Sequence, residues 1–113
     1  MISLLSILAT ITLSVTPSVC QEPCTLTATL QVEKATDNEK VVITLEAEDS
    51  EYFRSSDLDY SLNTPRTIQI RYISVPAGNY ILKAVLYKHG GVKSRIGGMV
   101  VRSVRIVGDE DQD

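Results

Sequence analysis

Residues Thr25 to Glu33 read TLTATLQVE, a strict alternation with Leu26, Ala28, Leu30 and Val32 on one side and hydroxyls and Gln31 on the other. A period of two puts alternate side chains on opposite faces of an extended chain, so this segment is a half-buried strand. Lys40 to Glu48, KVVITLEAE, repeats the pattern with Val41, Ile43, Leu45 and Ala47 as the inward set. Between them ATDNE supplies turn chemistry through Asp37 and Asn38, whose short polar side chains bond to nearby backbone. The two strands are expected to pair as an antiparallel hairpin, with Glu46 and Glu48 facing water.

Alternation resumes through Ile68, Ile70 and Tyr72 between Arg66 and Val75, and through Tyr80, Leu82, Ala84 and Leu86 between Asn79 and Lys88. His89-Gly90-Gly91 marks a turn, and Ile96-Gly97-Gly98 predicts a bulge or bend before a last strand from Met99 to Val107. Asp49 to Pro65 sustains no period and reads as a long polar loop, with at most a short strand at Tyr52-Phe53. After the first twenty residues there is neither an amphipathic helix nor an internal repeat. Strands at these spacings predict an all-β, antiparallel β-sandwich of about six to seven strands. A chain of 113 residues holds one modest core of that kind.

Val75-Pro76-Ala77-Gly78 fits a type I turn, with proline setting φ at the second position and glycine at the fourth. The Gly78-Asn79-Tyr80 entry that follows resembles the tyrosine corner of immunoglobulin-like domains. PAGNY is also similar to the turn and strand of fibronectin-III-like and transthyretin-like modules of secreted proteins. The resemblance spans Arg66 to Val107 and implies an immunoglobulin-like sandwich in which Pro76, Gly78 and Tyr80 are scaffold. The paired core cysteines and the strand-C tryptophan of immunoglobulin domains are absent.

MISLLSILATITLSV, Met1 to Val15, has no charged side chain and is broken by Thr16-Pro17-Ser18. It is short for a membrane span and suits the apolar region of a secretory signal, although the first basic residue is Lys34. Small residues at Ser18 and Cys20 permit cleavage before Gln21. The expected organisation is a signal helix over 1–20, a β-sandwich domain over 21–108 and an acidic tail over 109–113. The expected location is secreted, periplasmic or cell-envelope; the alternative is a membrane anchor formed by an uncleaved N-terminal segment. Cys20 and Cys24 are the only cysteines. Retained together they can form a local disulfide; cleavage before Gln21 leaves Cys24 alone, and a lipidated Cys20 is a third outcome.

The net charge of −3 implies neither a polyanionic partner nor a membrane surface. Its distribution is uneven: ten acidic and three basic residues lie between Gln21 and Asp59, against eight basic and no acidic ones from Tyr60 to Gly108. Strands from the two halves, packed side by side, interleave opposite charges.

Catalytic resources are few. His89 is the only histidine, which excludes a zinc site built on several imidazoles, and CxxC, GxSxG, P-loop and GxGxxG patterns are absent. A Cys24–His89 dyad places its nucleophile near a mature terminus, a poor position to hold it rigidly. The chain is therefore expected to be no enzyme and to need no cofactor. Glu48, Asp49, Glu51, Asp57 and Asp59 are hard oxygen ligands of the kind calcium takes, but their spacing is not that of an EF-hand and they read as a solvated loop. Nucleic acid is not expected, since the aromatic interleaving of single-strand binders is missing.

Binding remains. Tyr52, Phe53, Arg54, Asp57, Asp59 and Tyr60, in the 51–64 loop, are the candidate contacts, because tyrosine and arginine bury large areas while keeping a polar handle. The segment Tyr80 to Tyr87 is apolar on both faces, with Ile81, Val85 and Tyr87 opposite Leu82, and Val100-Val101 and Val104-Arg105-Ile106-Val107 behave similarly. That second face either meets another chain, a second copy included, or is covered by Tyr52 and Phe53. The function expected is a non-enzymatic exported binding or structural module with a protein partner. Two other classes compete with it: a secreted protease inhibitor, although loop motifs of the NPTTG kind are absent, and a glycan-binding module, although aromatic platforms are few.

Overall fold

The computed structural model describes residues 11–61, 63–90 and 93–108. Eight strands are present: β1 (Ile11–Thr16), β2 (Val19–Gln21), β3 (Cys24–Val32), β4 (Asn38–Ala47), β5 (Phe53–Asp59), β6 (Thr67–Val75), β7 (Gly78–Lys88) and β8 (Arg95–Val107). They form two packed sheets, one of three strands in the order β1-β3-β6 and one of five in the order β2-β8-β7-β4-β5. All neighbours are antiparallel except β2 and β8, which run parallel.

The core lies where the inward sets of the two sheets meet. Leu26, Ala28, Leu30 and Val32 from β3 join Val41, Ile43 and Leu45 from β4 and Tyr80, Leu82, Ala84 and Leu86 from β7, all almost fully buried. Each buried leucine or isoleucine contributes about 1.5–3 kcal/mol of transfer free energy, so the alternation read from sequence is also the main driving force.

Several expectations change. β3 and β4 are not a hairpin; they belong to different sheets. The reason is their patterning: with one apolar face each, they bury both by facing each other across the core, and residues 33–37 carry the chain from one layer to the other. The segment 49–65 is not all loop, because Phe53–Asp59 is an edge strand along β4, from Glu46↔Phe53 to Lys40↔Asp59. This edge strand sends only Leu58 to the core, beside the half-buried Ser56, and one apolar residue makes no period, which is why FRSSDLD shows none.

The N-terminal segment also differs. Among the described residues there is no helix, and Ile11–Thr16, expected within a signal helix, is the strand β1 paired with β3 from Ile11↔Val32 to Thr16↔Thr27. Ile11 and Leu13 are buried in the core. The pairing thus begins at residue 11 rather than 21; residues 1–10 and the acidic tail 109–113 lie outside the described residues. No helix among the described residues is long and apolar enough to cross a membrane.

Two features pin the layers together at one end. The Cys20–Cys24 disulfide joins β2 in the five-stranded sheet to β3 in the three-stranded one. Pro76-Ala77 links β6 to β7, again between layers, so this turn is a corner and not a hairpin. Tyr80 Oη donates to Pro76 O at 2.8 Å, and the Ala77 N–H donates to Glu22 Oε1 at 2.7 Å. Gly78 has φ +152°, and a Cβ there would lie 3.3 Å from Tyr80 Cε1, so glycine suits both the backbone and the ring.

Candidate functional site

Three of the six predicted contacts share a face. β5 turns Phe53, Asp57 and Asp59 outward, beside Glu46, Val42 and Lys40 of β4 in register. Arg54 points to the other face, with its guanidinium carbon 4.4 Å from the centre of the Tyr52 ring. Tyr52 packs edge-on against Tyr80, ring centres 5.4 Å apart, and Tyr60 lies against the core. Burial raises the pKa of the Tyr60 hydroxyl, which is sealed without a hydrogen-bond partner among the described residues. The six residues therefore do not form one surface.

The outer face of the five-stranded sheet does form one. Its rows follow from the register: Asp59–Lys40–Tyr87–Ile96, then Asp57–Val42–Val85–Met99, Ser55–Thr44–Lys83–Val101 and Phe53–Glu46–Ile81–Ser103. Asn79 and Arg105 follow, with Val19 of β2 beyond Arg105. The middle of these rows is apolar. Ile96 is 61% exposed, Met99 56% and Val101 43%, and Phe53 adds 50% at the edge. Val85 is only 8% exposed although it faces outward, because its neighbours in the row crowd over it. Lys40 Nζ stands 5.6 Å from the centre of the Tyr87 ring. Thus the second apolar face of Tyr80–Tyr87 is not covered by Tyr52 and Phe53; Ile81 and Tyr87 are half-buried, and the exposed apolar surface lies on the neighbouring β8.

The carboxylates of this face gather on one flank. Asp57 and Asp59 on β5 and Glu46 on β4 lie on one flank with Lys40 among them, while β8 on the other carries Arg105 and no carboxylate. Beyond the top row, Asp37 accepts from Lys88 Nζ at 3.0 Å and Arg95 Nη2 at 3.1 Å. The hydrogen bond from Lys88, aided by the charges of Lys88 and Arg95, holds the Asp37 carboxyl below its ordinary range. This is one place where opposite charges of the two halves interleave as expected. The expected bulge at Gly97 is also present, with register shifting between Leu86↔Gly98 and Tyr87↔Ile96. A Cβ on Gly97 would sit 2.7 Å from the Lys88 stem, so glycine leaves the lysine room to reach Asp37.

The outer face of the three-stranded sheet is mostly polar, apart from Ile73 of β6, which is 66% exposed. Thr12, Ser14, Thr16, Thr27, Thr29, Gln31, Thr67 and Gln69 form an array of hydroxyls and amides, with Arg71 at one corner. They bond to one another, Thr12 Oγ1 donating to Gln31 Oε1 at 3.3 Å and Gln69 Nε2 to Thr29 Oγ1 at 3.4 Å. A shallow cavity of about 230 Å³ lies over Thr12, Leu13, Ser14, Thr29 and Gln31.

Among the described residues no group of three or more His, Cys, Asp or Glu side chains is placed to hold a metal ion. Sequence reasoning found the apolar second face of β7 but not the part that β4 and β8 supply. Lys40, Val42, Met99 and Arg105 join it only once the strand order is known, and the single local hint was the exposed parity of Val101. No protein-family model, curated protein or solved structure matches the chain.

Proposed function

We propose that this is a non-enzymatic binding module, an immunoglobulin-like β-sandwich working in an exported, oxidising location, that engages a protein partner through the outer face of its five-stranded sheet. The observation that carries the reading is the apolar band of Ile96, Met99, Val101, Val85 and Val42, flanked by charge. A solvated sheet face has no use for such a band, whereas a protein interface has an apolar centre and a polar rim. The Cys20–Cys24 disulfide supports an oxidising compartment. The binding residues move accordingly: Phe53, Asp57 and Asp59 remain, and Tyr52, Arg54 and Tyr60 give way to residues of β4, β7 and β8.

The test is site-specific photo-crosslinking in the native setting, with the photoreactive residue at Met99 or at Thr27. One adduct in near-stoichiometric yield from Met99, and none from Thr27 on the opposite outer face, is the expected result. Equal labelling from both positions, or none from Met99, overturns the reading.

A further inference from the structure

We propose that the occupant of this face is a second copy of the chain, in a face-to-face dimer whose two-fold axis runs along β7, parallel to the strands; this rests on the reading of the face as an interface.

Extent sets the kind of interface. With the axis on β7, β7 lies over β7 and β4 over β8, so three strands at about 4.8 Å spacing overlap across about 14 Å. The rows from Asn79 to Tyr87 extend the overlap by about 30 Å at about 3.4 Å per residue. Each copy thus offers about 430 Å², and the two together about 860 Å², the size of a weak, reversible interface and not of an obligate one.

Self-complementarity supports a second copy. A two-fold axis must place a patch against itself, so residue i meets j and j meets i. Rotation about β7 exchanges the flanks of the face and keeps the rows in step. Val42 of one copy then lies over Met99 of the other, and Thr44 over Val101. Charge supports the same arrangement at one place: Glu46 lies over Ser103 of the second copy, one row from its Arg105. That pair is made twice. A foreign partner would need to supply that matching charge pattern, while a second copy already has it.

Lys83 is the one residue this arrangement disfavours. It sits on β7 beside the axis, so the two ammonium groups approach each other. Removing it should strengthen the dimer, which no fixed expectation for an unrelated partner predicts.

The experiment is sedimentation equilibrium of the full chain over the micromolar range, with circular dichroism melting to check folding. A reversible monomer–dimer equilibrium is expected. Val101→Glu should abolish it, and Lys83→Ala should tighten it severalfold. Glu46→Arg alone and Arg105→Glu alone should each weaken self-association, and mixing these two variants should restore it, because every pair in the mixed dimer is again opposite in charge. Monomer at all concentrations overturns the second copy as occupant while leaving the interface itself to the Met99 cross-link; so does a dimer that is indifferent to the charge exchange. The exchange keeps the proposal testable even if Val101→Glu fails to fold.

Discussion

Tyr80 and Tyr72 bury their rings in the same core and differ in what their hydroxyls meet. Tyr80 Oη donates to Pro76 O at 2.8 Å, whereas Tyr72 Oη is sealed from solvent with no partner among the described residues. Replacing either by phenylalanine deletes one oxygen and leaves ring burial nearly unchanged, so the pair isolates the hydroxyl. At Tyr80 the loss is one intramolecular hydrogen bond, about 0.5–1.5 kcal/mol net. For a chain of this size that lowers the melting temperature by about 4 °C. At Tyr72 the unfolded chain hydrates a hydroxyl that folding strips bare, so phenylalanine should stabilise by about 1 kcal/mol. Ionisation adds a second readout. Burial, with a smaller contribution from Tyr52, pushes the Tyr72 hydroxyl up to about 12 from its ordinary value of 10.0. The folded chain then holds a proton that the unfolded chain releases. That stabilisation is complete below pH 10.0 and is lost as the pH rises towards about 12, with a slope of up to about 1.4 kcal/mol per pH unit. Tyr72→Phe should flatten that alkaline limb. Urea denaturation followed by circular dichroism, near neutrality and again above pH 10.0, measures both effects. A Tyr72→Phe variant as destabilised as Tyr80→Phe, or one keeping the wild-type alkaline slope, would refute the reasoning.

Three further outcomes follow from local geometry. Ser74 holds φ 57° where β6 bulges against β3, between Cys24↔Val75 and Leu26↔Tyr72; Ser74→Gly relieves that left-handed conformation and should raise stability by about 0.5–1 kcal/mol, visible as a higher melting temperature. The Cys20–Cys24 bond closes a short loop, sequence separation 4, for which the chain-entropy relation gives about 2 kcal/mol; the melting temperature should fall on reduction and be insensitive to reductant in Cys20→Ser/Cys24→Ser. Because Lys88 and Arg95 depress the Asp37 carboxyl below 3.8, its stabilisation is present above that value and is lost as pH falls through the lower folded one; Asp37→Asn should make the acid limb of a stability–pH series shallower, and an unchanged limb would count against the ion pairs.

What could be read from sequence was whatever the core dictates. Every inward residue named in β3, β4 and β7 is buried, because period two is the direct imprint of one wet and one dry face. The Pro76–Tyr80 corner was also legible, since proline, glycine and tyrosine each answer a local geometric demand. Pairing was harder. Nothing in TLTATLQVE or KVVITLEAE distinguishes two strands that share a sheet from two that oppose each other across a core; both arrangements bury the same side chains. β5 was invisible because only Leu58 packs against the core, while Phe53, Asp57 and Asp59 obey the surface. β1 was hidden differently: an uncharged run with ITLSVT at its end satisfies a signal segment and a strand alike, and only its register with β3 tells them apart. The full extent of the outer five-stranded face was illegible for the same reason as the pairing, since it is assembled from strands distant in sequence.

The two outward faces offer a comparison made within a single molecule. Neither contributes to the core, so neither is obliged by folding to be apolar, and both belong to sheets of one chain under the same solvent. On β3 the outward positions are Thr25, Thr27, Thr29 and Gln31, and on β1 they are Thr12, Ser14 and Thr16. That is what a solvated β face of this protein looks like: β-branched hydroxyls that favour extended backbone and bond to water or to each other. The outward positions of β7 and β8 could have used the same residues at no loss to the fold, yet beside Lys83, Ser103 and Arg105 they include Ile81, Val85, Ile96, Met99 and Val101. β-propensity does not account for the difference, because threonine satisfies it as well as valine, and methionine scarcely does. Core packing does not account for it either, because these side chains point away from the core. What remains is an apolar band on an outward sheet face, the feature on which the proposed interface rests.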